Sequence, residues 1–522
     1  MKNDKIRSII AIILFAALIM VPLCKTDVLG GKISETENRR LAEFPISRSD
    51  EGEFSVSRSA VEHWIEDNIG FRSCFVNIYS TIKSRVFKSP TTSTVLKGKD
   101  GWYFYTNDYN IEIATGEYPL SQKDLELIAE YQQQISDYYH SIGKEYILML
   151  TPSKVSVYPE YLPMADETVK QTPVDVVTNY LQANTDVIVY NSKTDLLAAK
   201  GEGQLFHKTD THWNDRGSYV VYKGLFSLMK EKGIAVGNPV DVTFVDGEHK
   251  GEFSYMMGNA RLLSAETAPF AEWRHKFEIT ESGETFEAGT QLQNLYNPSF
   301  RFSLLENKTA DNQKTLQIYG DSQLEMYRKI PMYMAENFST VLNYAIRNVN
   351  VEVDSVGNPD VVVFSCSERY IAELLTVPGN VPAKPINVDL GYSKLHAIQQ
   401  QGYQGMNVDS YNGKLASEQG TIDLREFDEA DFVQIEGWAA DFETNRPLSA
   451  LYLRVGDSIY QCAYGKKRTS VSEYFGIDTL CYTGFSILIP MENLLSVEKV
   501  EFIQIGTDGS YRYPDVQYNI YR

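Results

Sequence analysis

The chain has 522 residues, of which 43% are hydrophobic and 12% aromatic, and its formal net charge is −20 at pH 7. This length exceeds what one small hydrophobic core can hold, so we expect two or three folding units. The charge argues against nucleic-acid binding, because phosphate recognition depends on clustered Lys and Arg that release counterions. An acidic chain with 34 tyrosines suits a sugar ligand better.

The first 27 residues have the pattern of a signal anchor. Three basic residues, Lys2, Lys5 and Arg7, precede an apolar run over 9–24. The run is slightly short for a spanning helix, but snorkelling of its basic flanks makes it adequate. No small-x-small cleavage site follows, and Cys24 stands in a poor lipoprotein box. We therefore expect an uncleaved membrane anchor, with the rest of the chain outside the cytoplasm.

Residues 28–89 are predicted to form an extended and helical N-terminal region. Apolar residues recur at spacings of three and four over 60–87, which predicts a helix interrupted at Gly70. Directly after this region, two strand-like runs flank the turn residues Asp100 and Gly101. This arrangement predicts a β-hairpin.

Residues 90–414 alternate between helical and strand patterns. Helices are predicted at 121–143, 173–184, 217–233 and 323–338, the last interrupted at Pro331, and wholly apolar strands at 144–159, 186–192, 314–322 and 359–369. This alternation predicts an α/β domain with a mostly parallel sheet. The segment 240–310 fits the pattern poorly and is interpreted as an insertion. In such sheets, reactive residues tend to follow the carboxyl ends of strands.

Residues 415–522 carry short alternating runs broken by Gly, Asp-Gly and Pro, with no helical pattern. They predict a separate all-β sandwich. Aromatic residues recur along these runs, at Trp438, Tyr452, Tyr460, Tyr464 and Tyr474. They either present rings to a polysaccharide, as in a carbohydrate-binding module, or fill the core of the sandwich.

Five cysteines in a chain of this length do not form a disulfide scaffold. Cys462 and Cys481 lie in neighbouring strand-like runs and would pair only if their strands bring them together. Two separate thiols are the favoured interpretation.

A candidate nucleophile stands where a buried strand ends. Gly320, Asp321 and Ser322 close the apolar run, and a helical pattern begins directly after them. A serine at a strand-to-helix turn has an exposed hydroxyl, and the backbone N–H groups of the turn favour a developing oxyanion. The alternative is that Asp321 or Ser322 simply caps the helix.

A serine nucleophile needs a base, and the chain offers seven histidines. Five have ordinary explanations, because they lie in helical patterns, in the insertion or far from an acid: His63, His140, His249, His275 and His396. The other two, His207 and His212, share the loop over 206–215.

His212 is the better candidate for the base. Asp210, two residues earlier, could accept the Nδ1–H of His212, and Trp213 could exclude water. A surface histidine is one alternative. A zinc site of His207, Asp210 and His212 is another, although it lacks an evident fourth ligand and the helical H-x-x-x-H spacing.

The motifs together resemble those of the alginate O-acetyltransferases AlgX and AlgJ. Seven stretches over about 35–375 recur in the same order in that family: ENRRLAEFP, HWIEDNIGFR, LKGKDGWYFY, TPSKVSVYPEYLP, DTHWND, YGDS and NPDVVVFSCSER. The resemblance implies an SGNH-hydrolase-like fold with the Asp-His pair before the Ser. It also implies that Ser322 is the nucleophile, His212 the general base and Asp210 the residue that orients it.

The resemblance further implies O-acetylation of an exported polysaccharide, with the acetyl group delivered by a membrane-bound acyltransferase of the MBOAT class. We expect no cofactor and no metal. Four residues are candidate contacts for acceptor or oxyanion, although core packing is the default for the tyrosines: Arg369, Tyr327, Tyr344 and Trp213. Lys154 ends a buried strand and could also face the cleft. Gln323 replaces a common family Phe, which leaves the identity of the polymer open.

Three functions stay open at this point: an O-acetyltransferase, an acetyl-esterase with the same triad, or a non-catalytic glycan-binding assembly subunit. The same triad serves both enzymes, and only the exclusion of water separates them.

Overall fold

The protein is described from a computed structural model. It covers residues 58–71, 94–163, 171–257, 262–282, 302–325, 328–349, 357–376, 381–386, 405–416, 420–425, 431–512 and 516–522, with isolated positions elsewhere. The anchor predicted at 1–27 lies outside these residues except for Lys25 and Thr26, and so does most of the helix predicted after Gly70. Within the described ranges, no helix has the length and apolar character needed to cross a membrane.

The described residues up to 105 include short strand pairs and one helix. Their bounds are β1 Ile33–Ser34, β2 Arg39–Arg40, β3 Ser47–Arg48, β4 Phe54–Ser55, α1 Arg58–Asn68, β5 Val95–Lys97 and β6 Tyr103–Tyr105. Strands β5 and β6 pair antiparallel, which is the hairpin predicted from the Asp-Gly turn.

A seven-stranded sheet forms the centre of the α/β domain. Its strands are β7 Glu145–Thr151, β8 Ile188–Asn191, β11 Glu278–Ser282, β12 Phe302–Glu306, β13 Asn312–Tyr319, β14 Phe338–Tyr344 and β15 Val361–Ser367. They lie in the order β11-β12-β14-β13-β15-β7-β8. The strands from β14 to β8 are parallel, while β12 and β11 add an antiparallel edge. The predicted α/β class is confirmed.

The apolar runs in the sequence arise because the central strands are covered on both faces. Val361 and Val363 of β15 belong to one buried cluster, while Val362 and Phe364 belong to another. Successive side chains of a strand point to opposite faces, so a strand covered on both faces must be apolar throughout.

Helices surround this sheet: α2 Asn110–Thr115, α3 Gln122–Ser141, α4 Lys154–Val157, α5 Pro173–Asn184, α6 Lys193–Ala199, α7 Asp215–Glu231, α8 Phe253–Met256 and α9 Ile330–Ala335. Short 3-10 helices occur at Pro159–Tyr161, Lys200–Glu202, Ser322–Leu324 and Glu368–Leu375. Ser121 begins α3 with a capping box that also uses Asp124.

Two of the predicted elements differ from the structure. The strand predicted over 144–159 ends at Thr151, because Pro152 lacks the N–H that a central strand needs and helix α4 follows. The helix predicted over 323–338 is instead a 3-10 turn followed by α9. Pro331 lies in the first turn of α9, where its missing N–H costs nothing, so it opens this helix rather than interrupting one.

The predicted insertion contributes to two sheets. Strands β9 Thr243–His249 and β10 Glu266–Glu272 form an antiparallel pair of their own, and α8 lies between them in the chain. Farther along the segment, β11 and β12 extend the main sheet.

The C-terminal region consists mainly of two sheets that share one core. Its strands are β16 Met406–Tyr411, β17 Lys414–Leu415, β18 Thr421–Asp423, β19 Phe432–Ala439, β20 Ala450–Val455, β21 Ser458–Gln461, β22 Ala463–Lys466, β23 Gly484–Pro490, β24 Lys499–Ile505, β25 Tyr511–Arg512 and β26 Gln517–Tyr521. The sheets have five and six strands. The predicted β character is confirmed, while the domain boundaries stay predictions.

Short helices that the sequence pattern did not indicate also occur there: α10 Thr469–Phe475, α11 Met491–Leu495 and the 3-10 helix Asp478–Tyr482. Cys462 is buried and Cys481 is partly exposed, and both are free thiols. The structure therefore favours two separate thiols over a disulfide.

Candidate active site

The loop that carries Asp210 and His212 folds back on itself like a hairpin. Phe206 and Trp213 form an isolated antiparallel bridge, and the His207 N–H donates to the His212 carbonyl at 3.1 Å. Helix α7 follows at once, because the side chain of Asn214 caps it by accepting from the Gly217 N–H at 3.0 Å.

Ser322 lies just past the carboxyl end of β13. The Asp321 carboxylate accepts from the Gln323 N–H at 2.9 Å, and the Asp321 carbonyl accepts from the Leu324 N–H at 3.0 Å. These bonds hold the 3-10 turn that begins with Ser322. The two interpretations of this segment, a nucleophile and a helix cap, are thus compatible, because Asp321 caps the turn and Ser322 presents its hydroxyl.

The three predicted residues form a continuous chain of short contacts. His212 Nε2 lies 2.8 Å from Ser322 Oγ, and His212 Nδ1 lies 2.7 Å from Asp210 Oδ1. Since an ionised carboxylate only accepts, His212 donates from Nδ1 and leaves Nε2 free to accept from the serine hydroxyl. The arrangement fits a nucleophile, a base and an orienting acid. Their catalytic roles stay predictions.

Asp210 is buried and is held ionised by its neighbours. Burial alone would raise its pKa, but the charge and hydrogen bond of His212, the hydrogen bond from His249 and the charge of Arg328 hold the pKa of Asp210 well below its usual range. The His212 backbone N–H also donates to Asp210 Oδ1, at 3.1 Å.

His249 is a neighbour of the triad that sequence reasoning placed in the insertion and set aside. Its Nε2 lies 3.2 Å from Asp210 Oδ2, and its ring stacks on His207 with centroids 3.5 Å apart. Burial, reinforced by His249, lowers the pKa of His207 to about 2, so His207 is neutral. The available signal was the position of His249 at the end of the strand-like run TFVDGEH, directly before a glycine-containing turn.

Lys154 stabilises the Asp210–His212 loop through hydrogen bonds to its backbone carbonyls. Its Nζ donates to the carbonyls of His207 at 3.0 Å, Lys208 at 3.2 Å and Asp210 at 2.6 Å. Burial lowers the pKa of Lys154 to about 7, although Asp210, Glu266 and Glu252 act in the opposite direction. The sequence located this lysine at a strand end but did not indicate its role under the loop.

Two glutamates from the insertion hold the N–H groups of the same loop. Glu266 accepts from the backbone N–H groups of Lys208 and Thr209, each at 2.8 Å. Glu252 accepts from the Thr211 N–H at 3.1 Å and from the Thr211 hydroxyl in a very short hydrogen bond. The loop therefore has charged partners on both sides.

The chemistry of the loop argues against a metal. Among the described residues, ligand atoms of Asp210, His212 and Glu252 lie within 4.8 Å of one another. However, Arg328 Nη2 lies 2.9 Å from His212 Nδ1, so a guanidinium already supplies positive charge there. The zinc set considered from sequence included His207, which does not belong to this group.

Arg369 lies in a small pocket beside the triad. The pocket is lined by Phe104, Tyr105, Asn110, Pro152, Ser153, Lys154, Val155, Thr211, Gln323, Ser367 and Arg369. The guanidinium faces the rings of Tyr105 and Tyr370, with 5.7 and 4.8 Å to their centroids. Burial lowers the pKa of Arg369, but electrostatic interactions with Tyr370, Asp321 and Asp108 outweigh it and raise the pKa. A larger open groove beside β8 contains none of the predicted site residues.

The other predicted contacts are differently placed. Trp213 is 1% exposed and packs edge-on against Phe206, so it shields the loop from beneath. Tyr344 is 3% exposed, and its ring packs against Phe302. Burial of both rings favours packing over contact with an acceptor, and their contact with substrate stays a prediction. Tyr327 lies outside the described residues.

Part of the chain is similar to a known protein family and to curated proteins. Residues 95–294 match the family model described as the SGNH hydrolase-like domain of the acetyltransferase AlgX. Two curated relatives carry the name "Probable alginate O-acetylase AlgJ". The one from Pseudomonas putida is 27% identical over 219 residues, which span 41% of this chain and 47% of the relative. The one from Pseudomonas syringae pv. tomato is 26% identical over 182 residues, 34% of this chain and 44% of the relative.

The chain thus spans less than half the length of either curated relative. A solved structure, the O-acetyltransferase domain of Pseudomonas putida AlgJ, matches with a TM-score of 0.36 at 18% identity, over 53% of this chain and 91% of that one. The family match confirms the resemblance seen in the motifs, over residues 95–294.

Proposed function

We propose that this protein transfers acetyl groups to hydroxyls of an exported polysaccharide through an acyl-enzyme on Ser322. The observation that carries the proposal is the hydrogen-bonded chain from Asp210 through His212 to Ser322, with contacts of 2.7 and 2.8 Å. The AlgX-type domain and the relatives named alginate O-acetylase support a polysaccharide as the acceptor.

The reaction has two half-steps. His212 Nε2 takes the Ser322 proton as Oγ attacks the acetyl carbonyl; the donor's ester bond then breaks, and its leaving group receives that proton. In the second step a sugar hydroxyl gives its proton to His212 and attacks the acyl-enzyme. Ser322 regains a proton from His212 as the acetyl group leaves on the sugar oxygen.

An oxyanion develops in both half-steps and needs donors. The Gln323 N–H already donates to Asp321, whereas the Ser322 N–H has no acceptor among the described residues. Arg369, in the pocket beside the triad, supplies a positive charge, and its guanidinium faces the rings of Tyr105 and Tyr370. The Ser322 N–H and Arg369 are therefore our candidates for oxyanion or acceptor binding.

We also propose that the protein is held at the outer face of a membrane by its N-terminal segment. There it would receive acetyl groups from a polytopic acyltransferase of the MBOAT class. The basic and apolar pattern of residues 1–27 supports this location.

The C-terminal sandwich is proposed to bind the polymer. Tyr474 is 78% exposed and Tyr482 is 54% exposed, on the two short helices α10 and Asp478–Tyr482, so both can offer a ring to sugars. Tyr460 is buried in the core, as the packing alternative required.

The test is an assay of the purified protein with a chromogenic acetyl ester, with and without an oligosaccharide acceptor. We expect O-acetylated product that depends on the acceptor and falls by at least ~10³-fold in Ser322→Ala. Ser227→Ala, at an exposed position on α7, is the matched control and should keep full activity. Acetate without acetylated sugar would make the protein an esterase. Turnover unchanged in Ser322→Ala would refute the mechanism.

A further inference from the structure

The orienting carboxylate of the triad is held at both oxygens. Oδ1 of Asp210 faces His212 Nδ1 at 2.7 Å, and Oδ2 faces His249 Nε2 at 3.2 Å. The backbone N–H of Glu252 is farther from Oδ2, at 3.4 Å. His249 is therefore the nearest described donor to the oxygen that the triad itself does not use.

The direction of this hydrogen bond follows from the charges. Asp210 is ionised and can only accept, so His249 must carry its proton on Nε2. His207, stacked on His249 at 3.5 Å with an interplanar angle of 16°, is neutral and places no charge against that ring. The stack fixes the plane of His249, and the plane fixes the direction of the N–H.

The insertion places His249 beside Asp210 because it packs tightly on the Asp210–His212 loop. His249 ends β9, and Gly251 follows so close to the loop that a Cβ there would lie 2.0 Å from the Thr209 carbonyl oxygen. The Phe253 N–H donates to that carbonyl at 3.1 Å. The insertion is thus in contact with the loop on both sides of the turn at Gly251.

We propose that His249 is a positioning residue of this site, which holds Asp210 Oδ2 so that Oδ1 stays directed at His212. The inference rests on the proposed function, because it assigns His249 a part in the same triad. A free carboxylate can rotate about its last torsion, which would weaken its bond to the base. A donor on the second oxygen removes that freedom, much as outer-shell partners orient the ligands of metal sites.

The test compares two substitutions in the full protein. His249→Phe keeps a flat ring to stack on His207 but has no donor, whereas His249→Gln keeps an N–H donor. We expect His249→Phe to lower kcat by about tenfold with little change in KM, and His249→Gln to recover part of the loss. His275→Phe is the matched control, because His275 belongs to the same insertion, is 44% exposed and faces Glu336 at 3.9 Å.

A double-mutant cycle separates positioning from general support of the fold. In an Asp210→Ala background, His249→Phe should cause no further loss, because the group it acts through is gone. A full tenfold loss in that background would overturn the proposal. So would wild-type kcat in His249→Phe with an unchanged Tm. If His249→Phe does not fold, His249→Gln decides, since the proposal requires it to be more active than His249→Ala.

The failure of this inference is distinguishable from that of the proposed function. The rate at which a sulfonyl fluoride modifies Ser322, followed by mass spectrometry, needs no turnover and reports on the activation of the serine by His212. We expect His249→Phe to slow this labelling about tenfold even if no acetyl acceptor is found. An acetyltransferase whose labelling rate is insensitive to His249 would keep the function and lose the inference.

Discussion

The two halves of the site are held in different ways. The loop with Asp210 and His212 depends on charged side chains from distant segments, namely Lys154 beneath it and Glu252 and Glu266 from the insertion. Ser322, in contrast, is held by its own neighbours, through the cap that Asp321 provides. We call the Asp210–His212 loop the distant arm of the site, because residues far along the chain hold it. We call Ser322 and its turn the local arm, because neighbouring residues hold it.

The difference follows from where the backbone hydrogen bonds go. Ser322 follows a parallel strand and opens a 3-10 turn, so regular structure satisfies most of the nearby backbone groups. The Asp-His loop is buried and has only a short bridge of its own. Buried N–H and C=O groups must be paired, so side chains take the place of a neighbouring strand. The distant arm should therefore be more sensitive to single substitutions that leave the triad itself untouched.

The largest effect is expected within the distant arm itself. Asp210→Asn should reduce kcat/KM by about 10⁴-fold, as loss of the orienting acid does in serine proteases, because His212 would take the wrong tautomer. The measurement is turnover of the acetyl ester, with Tm as the check on folding. Asp215→Asn, five residues along, should cost far less, because the Asp215 carboxylate accepts from the Ala271 N–H rather than from the imidazole of His212. Equal losses in both variants would contradict the assignment.

Lys154→Met should combine loss of activity with loss of stability. The substitution removes the shared donor of three carbonyls, and among the described residues only that of Lys208 keeps another donor, the Tyr103 N–H. We expect the loss to lower the free energy of unfolding by about 3 kcal/mol. Activity should fall with it, because the loop is no longer held.

The matched control for this prediction is Lys200→Met. Lys200 also donates to a carbonyl, that of Val157 at 2.6 Å, but it is half-buried and lies outside the loop. Its loss should change kcat little. If Lys154→Met behaves like this control, the distant arm does not depend on its charged support.

The pH dependence should separate activity from stability. Lys154 titrates near pH 7 in the folded protein and at its ordinary value of 10.5 when unfolded. Between these values the unfolded chain binds more protons, so this group makes the free energy of unfolding rise with pH. The neutral amine has only two N–H groups for three carbonyls, so activity should fall over the same range.

This prediction is checked by following kcat and urea unfolding from pH 7 upward, with Ser322→Ala as the blank for spontaneous ester hydrolysis. An equal decline of activity in Lys154→Met would show that another group is responsible.

The smallest effect is expected in the local arm. Asp321→Ala removes a cap from the turn at Ser322 and should cost about 1 kcal/mol of stability. We expect kcat to fall by about tenfold or less, because β13 still presents the serine. The control is Ser121→Ala, which removes a comparable cap from α3, away from the triad. A loss in Asp321→Ala as large as that in Asp210→Asn would erase the contrast between the two arms.

The same contrast explains what the sequence could and could not predict. The parallel sheet followed from apolar runs such as 359–369. The triad was predicted from the chemistry that a serine nucleophile requires, together with the roles that the resemblance to the AlgX and AlgJ family implies. Helix α5 matches the predicted range 173–184 because its Pro start and apolar spacing are local signals. The inferences on the sheet and on α5 needed only neighbours in the chain.

The support of the distant arm could not be predicted in the same way. His249, Glu252 and Glu266 lie in a segment whose hairpin is largely exposed, so its strands lack the apolar pattern of the central sheet. Lys154 was visible as a strand-end residue, but its three acceptors are backbone carbonyls 53 to 56 residues away. Every residue type carries the same backbone carbonyl, so no pattern of residue types can predict which carbonyls Lys154 contacts.

The sequence separations in this site also bear on the order in which the protein folds. His212 and Ser322 are 110 residues apart, and Glu266 reaches the loop from 57 and 58 residues away. Contacts between distant residues cost the most loop-closure entropy and tend to form late. The sheet that presents Ser322 also needs a distant contact, because Glu145 of β7 pairs with Val361 of β15. Catalysis would then arise only in the last stage of folding. The measured turnover rate would be proportional to the fraction of molecules in which the insertion has docked.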